Sequence, residues 1–176
     1  MPIYPASRPE KALEHTHRPE GRNTIVTVYI AGAGGGPQIE WGPDYAATAA
    51  HHSIEQALDL TVDMGRVPLL WTYAKPDANY TELKLGFDEK LGNTDKIGHM
   101  ALVANATISG EIARNGAAWS IDNESGAWGN MGGAQGKSNM MREVALFITT
   151  HCGMQVSAKR AYSSNLFKRK IQQIFR

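Results

Sequence analysis

A single cysteine, Cys152, occurs in 176 residues. No internal disulfide can form, so the fold must be held by packing, and a disulfide scaffold is excluded. One thiol also suits a reducing compartment. Long apolar runs are absent too. The longest, such as 67–71, are far short of the roughly 20 residues a membrane-spanning helix needs. The first 22 residues hold four prolines and no apolar stretch of the kind a signal peptide requires. They read as an extended arm, and export would use a route that reads no cleavable signal.

Acidic residues are missing from the whole stretch after Glu143, which carries Lys159, Arg160, Lys168, Arg169, Lys170 and Arg176. That stretch is six charges positive in a chain whose net is +1, so the part before it is five charges negative. A basic end on an acidic body suits nucleic acid or an acidic partner through residues 159–176; folding back on the body is the alternative. What remains is ordinary globular composition, 42% apolar and 20% charged, in the length of one domain.

The β-branched run TIVTVYIA at 24–31 reads as a buried strand. Ser53 followed by Gln56 is a capping-box pattern, with Ile54, Ala57, Leu58, Thr61 and Val62 at helical spacing and Gly65 as the stop. Residues 67–73 and 80–87 read as further strands, and 74–79 as a polar loop. The densest strand signal is a meander at 97–104, 106–113 and 117–121, turning at Asn115-Gly116. Ser138 caps a helix over 139–151, 154–158 is a last strand, and 165–175 a basic helix. The expected fold is a single α+β domain over 23–176 with a central antiparallel meander and about three helices.

Glycine-rich loops invite comparison with phosphate-binding motifs. Gly32, Gly34 and Gly36 follow a strand, but Pro37 stands where a dinucleotide loop needs its third glycine. A sharp turn or a mobile lid is the better reading. Gly136-Lys137-Ser138 ends like a phosphate loop, but Met131 replaces the first glycine. What survives is an anion site of Lys137 and Ser138 at a helix start, against a plain N-cap. No metal-ligand spacing is present among the histidines. Cys152, beside His151, reads as a small buried residue rather than a nucleophile.

His99 and Glu111 are the strongest catalytic pair. A hairpin centred near Asn105 would set them opposite each other on one face. An imidazole and a carboxylate so placed form a general acid/base pair, or a surface ion pair. Arg114 could add a phosphate clamp, and the basic tail an RNA backbone contact, which is how a ribonuclease would be built.

The segment Gly98-His99, Ser109-Gly110-Glu111-Ile112, Trp119, Asn123, Ser125-Gly126 and Trp128 resembles one in C-terminal toxin domains of bacterial polymorphic toxins. In that family a histidine leads to Gly-Glu, a hydrophobic strand, then Asn-x-Ser-Gly and an aromatic. A similar segment occurs in a plant family of IQ-motif proteins. The likeness covers 97–130. Met100 and Ala101 replace the family's usual hydroxyls, and Ala127-Trp128 its His-Tyr or Arg-Tyr.

The resemblance implies a delivered bacterial effector toxin, acting in the cytoplasm of a target cell and restrained in its producer by an immunity protein or chaperone. His99 and Glu111 would be catalytic. Asn123, Ser125, Gly126, Arg114 and Trp128 would bind substrate. The expected chemistry is ADP-ribosyl transfer from NAD or NAD hydrolysis, with NAD as substrate rather than resident cofactor and no metal. A ribonuclease toxin and a non-catalytic domain docking an acidic partner are the alternatives.

Overall fold

The computed structural model describes residues 23–47, 53–88, 90–91, 95–96, 106–123 and 133–159, with the backbone alone at 90–91, 95–96 and 133–137. The β-branched run forms strand β1 (Thr24–Ala31), buried over its first five residues. It turns through the glycine loop into β2 (Gln38–Trp41). Gly32 and Gly34 hold φ of +83° and +81°, a region open to glycine at little cost, so this loop is a sharp turn. The capping box closes as expected at the start of α1 (Ile54–Asp63): the Gln56 amide donates to Ser53 Oγ, and the Ser53 amide to Gln56 Oε1.

Strands β3 (Leu69–Asp77) and β4 (Tyr80–Phe87) form a hairpin, and β5 (Lys90–Leu91) pairs β6 (Asp95–Lys96) in a small separate ladder. Then come β7 (Ile108–Asn115), β8 (Ala118–Ile121), α2 (Gly133–His151) and β9 (Val156–Ala158). The main sheet has seven strands in the order β2-β1-β4-β3-β7-β8-β9. Its pairings are antiparallel except β8 with β9, which α2 connects. The fold is α+β, with two helices among the described residues rather than about three. The basic helix expected at 165–175 lies outside the described residues, as does the N-terminal arm.

Residues directly opposed across a ladder share a face, so the register sorts the sheet into two sides. One carries Val26, Val28, Leu69, Trp71, Tyr73, Leu83, Leu85, Ile108, Ile112, Trp119 and Ile121, all buried. Both helices cover that side. Ile54, Ala57 and Leu58 of α1, and Met140, Val144, Phe147 and Ile148 of α2, join the same core. Each large apolar side chain so enclosed contributes about 1.5–3 kcal/mol. The other side is polar. Thr27, Tyr29, Glu40, Thr72, Glu82, Lys84, Ser109, Glu111 and Ser120 fall on it by register.

Three expectations are corrected. The sheet is not a simple meander: β7 lies between β3 and β8, with Leu70 opposite Glu111 on one edge and Asp122 bonded to it on the other. Among the described residues both edges of β7 at Glu111 are thus taken, and the expected strand at 97–104, with His99, lies outside them. The β7–β8 turn is Gly116-Ala117, because Asn115 still pairs Ala118. Finally, α2 opens at Gly133, not 139. Ser138 therefore lies in its second turn, where backbone amides bond within the helix. Neither Ser138 nor Lys137 stands at the free N–H groups that an anion site would use.

Candidate functional site on the polar face

Strand alternation sends Ser109 and Glu111 of β7 to the polar face, beside Thr72 and Leu70 of β3. Glu111 is half-buried, whereas Ser109 and Thr72 are buried. Among the described residues the Ser109 hydroxyl has no hydrogen-bond partner. A buried hydroxyl in that state costs about 1–3 kcal/mol, so it is a position where a bound group would be favoured.

Gly110, between them, has a fixed reason to be glycine. A Cβ there would fall 1.7 Å from the Asp122 carbonyl oxygen and 2.8 Å from Asn123 Cα. The absent side chain lets the chain after β8 lie directly on β7. That approach is then locked. The Asp122 amide donates to Glu111 O at 3.0 Å, and the Glu111 amide to Asp122 Oδ1 at 3.1 Å. The Trp71 indole N–H is shared between the carbonyls of Glu111 and Asp122, each at 3.0 Å. Buried Asn123 is held against Gly110 as a consequence. Asn123 Cα thus lies on the side of β7 that Gly110 faces, away from the side chains of Ser109 and Glu111.

His99, Ser125, Gly126 and Trp128 lie outside the described residues. Lys137 is placed on α2 by its backbone alone, and Ser138 is half-buried there. Arg114 is on the other side of the sheet from Glu111, since residues three apart in a strand face opposite ways. Its guanidinium bonds Asp59 of α1 and the Gly116 carbonyl, and lies 5.8 Å from the Trp119 ring centroid. The Trp119 indole N–H in turn donates to Glu55 of α1 at 2.9 Å. Arg114 belongs to a strut between α1 and β7–β8, not to a substrate clamp beside Glu111.

A second polar cluster was not anticipated. Residues 74–79 read as a loop, but β3 continues to Asp77 and carries Lys75 into the buried series after Leu69, Trp71 and Tyr73. Lys75 is 1% exposed, with its ammonium 2.8 Å from Glu143 Oε1 of α2. The Tyr73 hydroxyl donates to the same oxygen at 2.9 Å. The Lys75 amide donates to Thr107 Oγ1, and the Thr107 amide to the Tyr73 carbonyl. The sequence signal was the continued alternation itself, masked by Pro76 and Asp77.

Cys152 is buried as expected, and burial pushes its thiol up to about 12, so it is no thiolate at neutral pH. Among the described residues no group of three or more His, Cys, Asp or Glu is placed to hold a metal ion. None of their helices is long and apolar enough to cross a membrane. The fold and site define an α+β domain with helices on one sheet face and a carboxylate-bearing polar surface on the other. No protein-family model, curated protein or solved structure matches this chain.

Proposed function

We propose that this protein is a bacterial effector toxin whose enzymatic site is centred on Glu111, and that its substrate is a nucleotide, with NAD cleaved in ADP-ribosyl transfer or hydrolysis. The observation that supports the reading is the pairing on one polar face of Glu111 with Ser109, whose buried hydroxyl has no hydrogen-bond partner among the described residues. The resemblance of 97–130 to polymorphic-toxin domains supplies the biological class. In this reading Glu111 stabilises positive charge developing on the ribose as the nicotinamide bond breaks, a role that suits an ionised carboxylate. Asn123 and Ser125 hold the substrate, His99 assists proton transfer, and an immunity protein restrains the toxin in its producer. The ribonuclease alternative loses the phosphate clamp assigned to Arg114, which is tied to Asp59 on the opposite face.

The test is expression in bacterial cytosol together with assays of the purified chain on labelled NAD and on total RNA. Wild type should arrest growth and consume NAD. Glu111→Gln, which keeps shape and removes charge, should lower NAD turnover by about a hundredfold or more while melting at nearly the same temperature. A fully toxic Glu111→Gln variant removes Glu111 from the active site. RNA cleavage without NAD loss moves the chemistry to RNA, and inertness on both with normal growth overturns the toxin reading.

A further inference from the structure

Away from Glu111, the β1, β2 and β4 end of the same polar face carries a compact aromatic and acidic group. The rings of Tyr29 and Tyr80 stack with centroids 6.1 Å apart and planes 28° off parallel. The Tyr29 hydroxyl donates to Glu40 Oε1 at 3.0 Å, and the Tyr80 hydroxyl to Glu82 Oε2 at 2.6 Å. Lys84 is 3.7 Å from the other Glu82 oxygen. Both phenol protons are held above the usual range, Tyr29 by the Glu40 bond and Tyr80 by burial and then Glu82, with the Glu40 charge also reaching Tyr80. The four groups share one electrostatic field. Both hydroxyls already donate to these carboxylates; Glu40 is exposed, whereas the Glu82 side chain is only 15% exposed. Among the described residues, two carboxylates against one ammonium leave it negative.

The neighbouring strand adds a direction. β2 ends the sheet order, so among the described residues its outer edge has no partner strand. Its residues alternate Gln38 and Glu40 on the polar face with Ile39 on the other, and Ile39 is 48% exposed. An unpaired edge with an acid on one face and a bare isoleucine on the other fits an extended segment with the complementary alternation. Arginine suits the acidic side better than lysine, because its planar guanidinium can stack on a tyrosine ring while donating two bonds to a carboxylate. A small guanidine would find too little enclosure among the described groups of this patch.

We infer that the β2 edge, with Tyr29, Tyr80, Glu40 and Glu82, is a docking site for an extended segment of a partner protein in which arginines alternate with apolar residues. The partner strand adds to β2, its arginines on the tyrosine–carboxylate patch and its apolar side chains over Ile39. This site is independent of the nucleotide chemistry proposed at Glu111.

The test uses the full chain and three labelled peptides of the pattern Arg-Val-Arg-Val-Arg, the same with lysine, and the same with glutamate. The arginine peptide should bind best, more weakly as salt rises, and should slow hydrogen exchange at the amides of 38–41. Glu40→Gln with Glu82→Gln should weaken it about tenfold, as should Ile39→Asn, with melting temperature nearly unchanged. Equal binding of the glutamate peptide, or affinity indifferent to those substitutions, overturns the proposal. So does unaltered exchange at 38–41, or spermidine competing as strongly as the peptide, which would show a site for small cations. Binding that emerges only when Lys168, Arg169 and Lys170 are changed to Glu would assign the patch to the chain's own basic stretch and likewise overturn the partner reading.

Discussion

A methyl group added at Gly110 would fall 1.7 Å from the Asp122 carbonyl oxygen, and backbone, unlike a side-chain tip, cannot swing away. Gly110→Ala should therefore push the chain after β8 off β7 and break the bonds between Glu111 and Asp122. The expected loss is about 3 kcal/mol, the upper part of the overpacking range, read as a drop in melting temperature. Gly36→Ala is the control: nothing lies within 4 Å of a Cβ there and its φ is not positive, so stability should hardly change. Cys152 offers a residue-scale test by pH. Its thiol is raised from 9.0 to about 12 by burial, so above pH 9 the unfolded chain loses a proton that the folded chain keeps. The stabilisation is whole below pH 9 and is lost as pH rises towards 12, by at most about 1.4 kcal/mol per pH unit. Denaturant melts of wild type against Cys152→Ala across pH 8 to 11 should show wild type falling more steeply. Parallel curves would mean the thiol is not so enclosed.

Between elements, the contact with most at stake is the one from Lys75 on β3 to Glu143 on α2. Removing the carboxylate takes away an acceptor 2.8 Å from a buried ammonium, so Glu143→Ala should cost about 3 kcal/mol. The double change Lys75→Met with Glu143→Leu should be milder than that single one, because no buried charge then remains at the joint. Urea midpoints for the three variants decide it, and a double variant weaker than Glu143→Ala would overturn the account. Elements with strong local signals were legible in advance: β1 from its β-branched run, α1 from its capping box and spacing, β4 from its alternation. Four-residue β2 was not, because an exposed edge strand between two Gly-Pro turns has no buried alternation to read. The start of α2 was missed because glycines at 133 and 136 weaken helix propensity. The order of the sheet depends on pairings distant in sequence, such as β3 with β7, which local pattern does not encode.

At the scale of the whole molecule, the sheet divides its residues between two tasks. One face makes the core and seats both helices, while the other keeps its polar groups: Ser109 and Glu111 near the middle, the tyrosines and glutamates towards β2. The sequence motif around Gly-Glu mixes the two. Gly110 is there for backbone contact, Ile112 for the core, and Glu111 for the polar face. Reading Arg114 as a partner of Glu111 failed because nearness in sequence is not nearness in a strand, where odd separations change sides. That division yields a paired prediction. Arg114→Ala removes the link to Asp59 on an exposed strut, so it should lower the melting temperature by a few degrees at most and leave toxicity and NAD turnover as in wild type. Glu111→Gln should do the reverse, sparing the melting temperature and abolishing turnover. Measured together on purified protein, the two variants separate face from face. An inactive but well-folded Arg114→Ala would show that the helix-covered side serves the reaction, and the site would then have to be moved across the sheet.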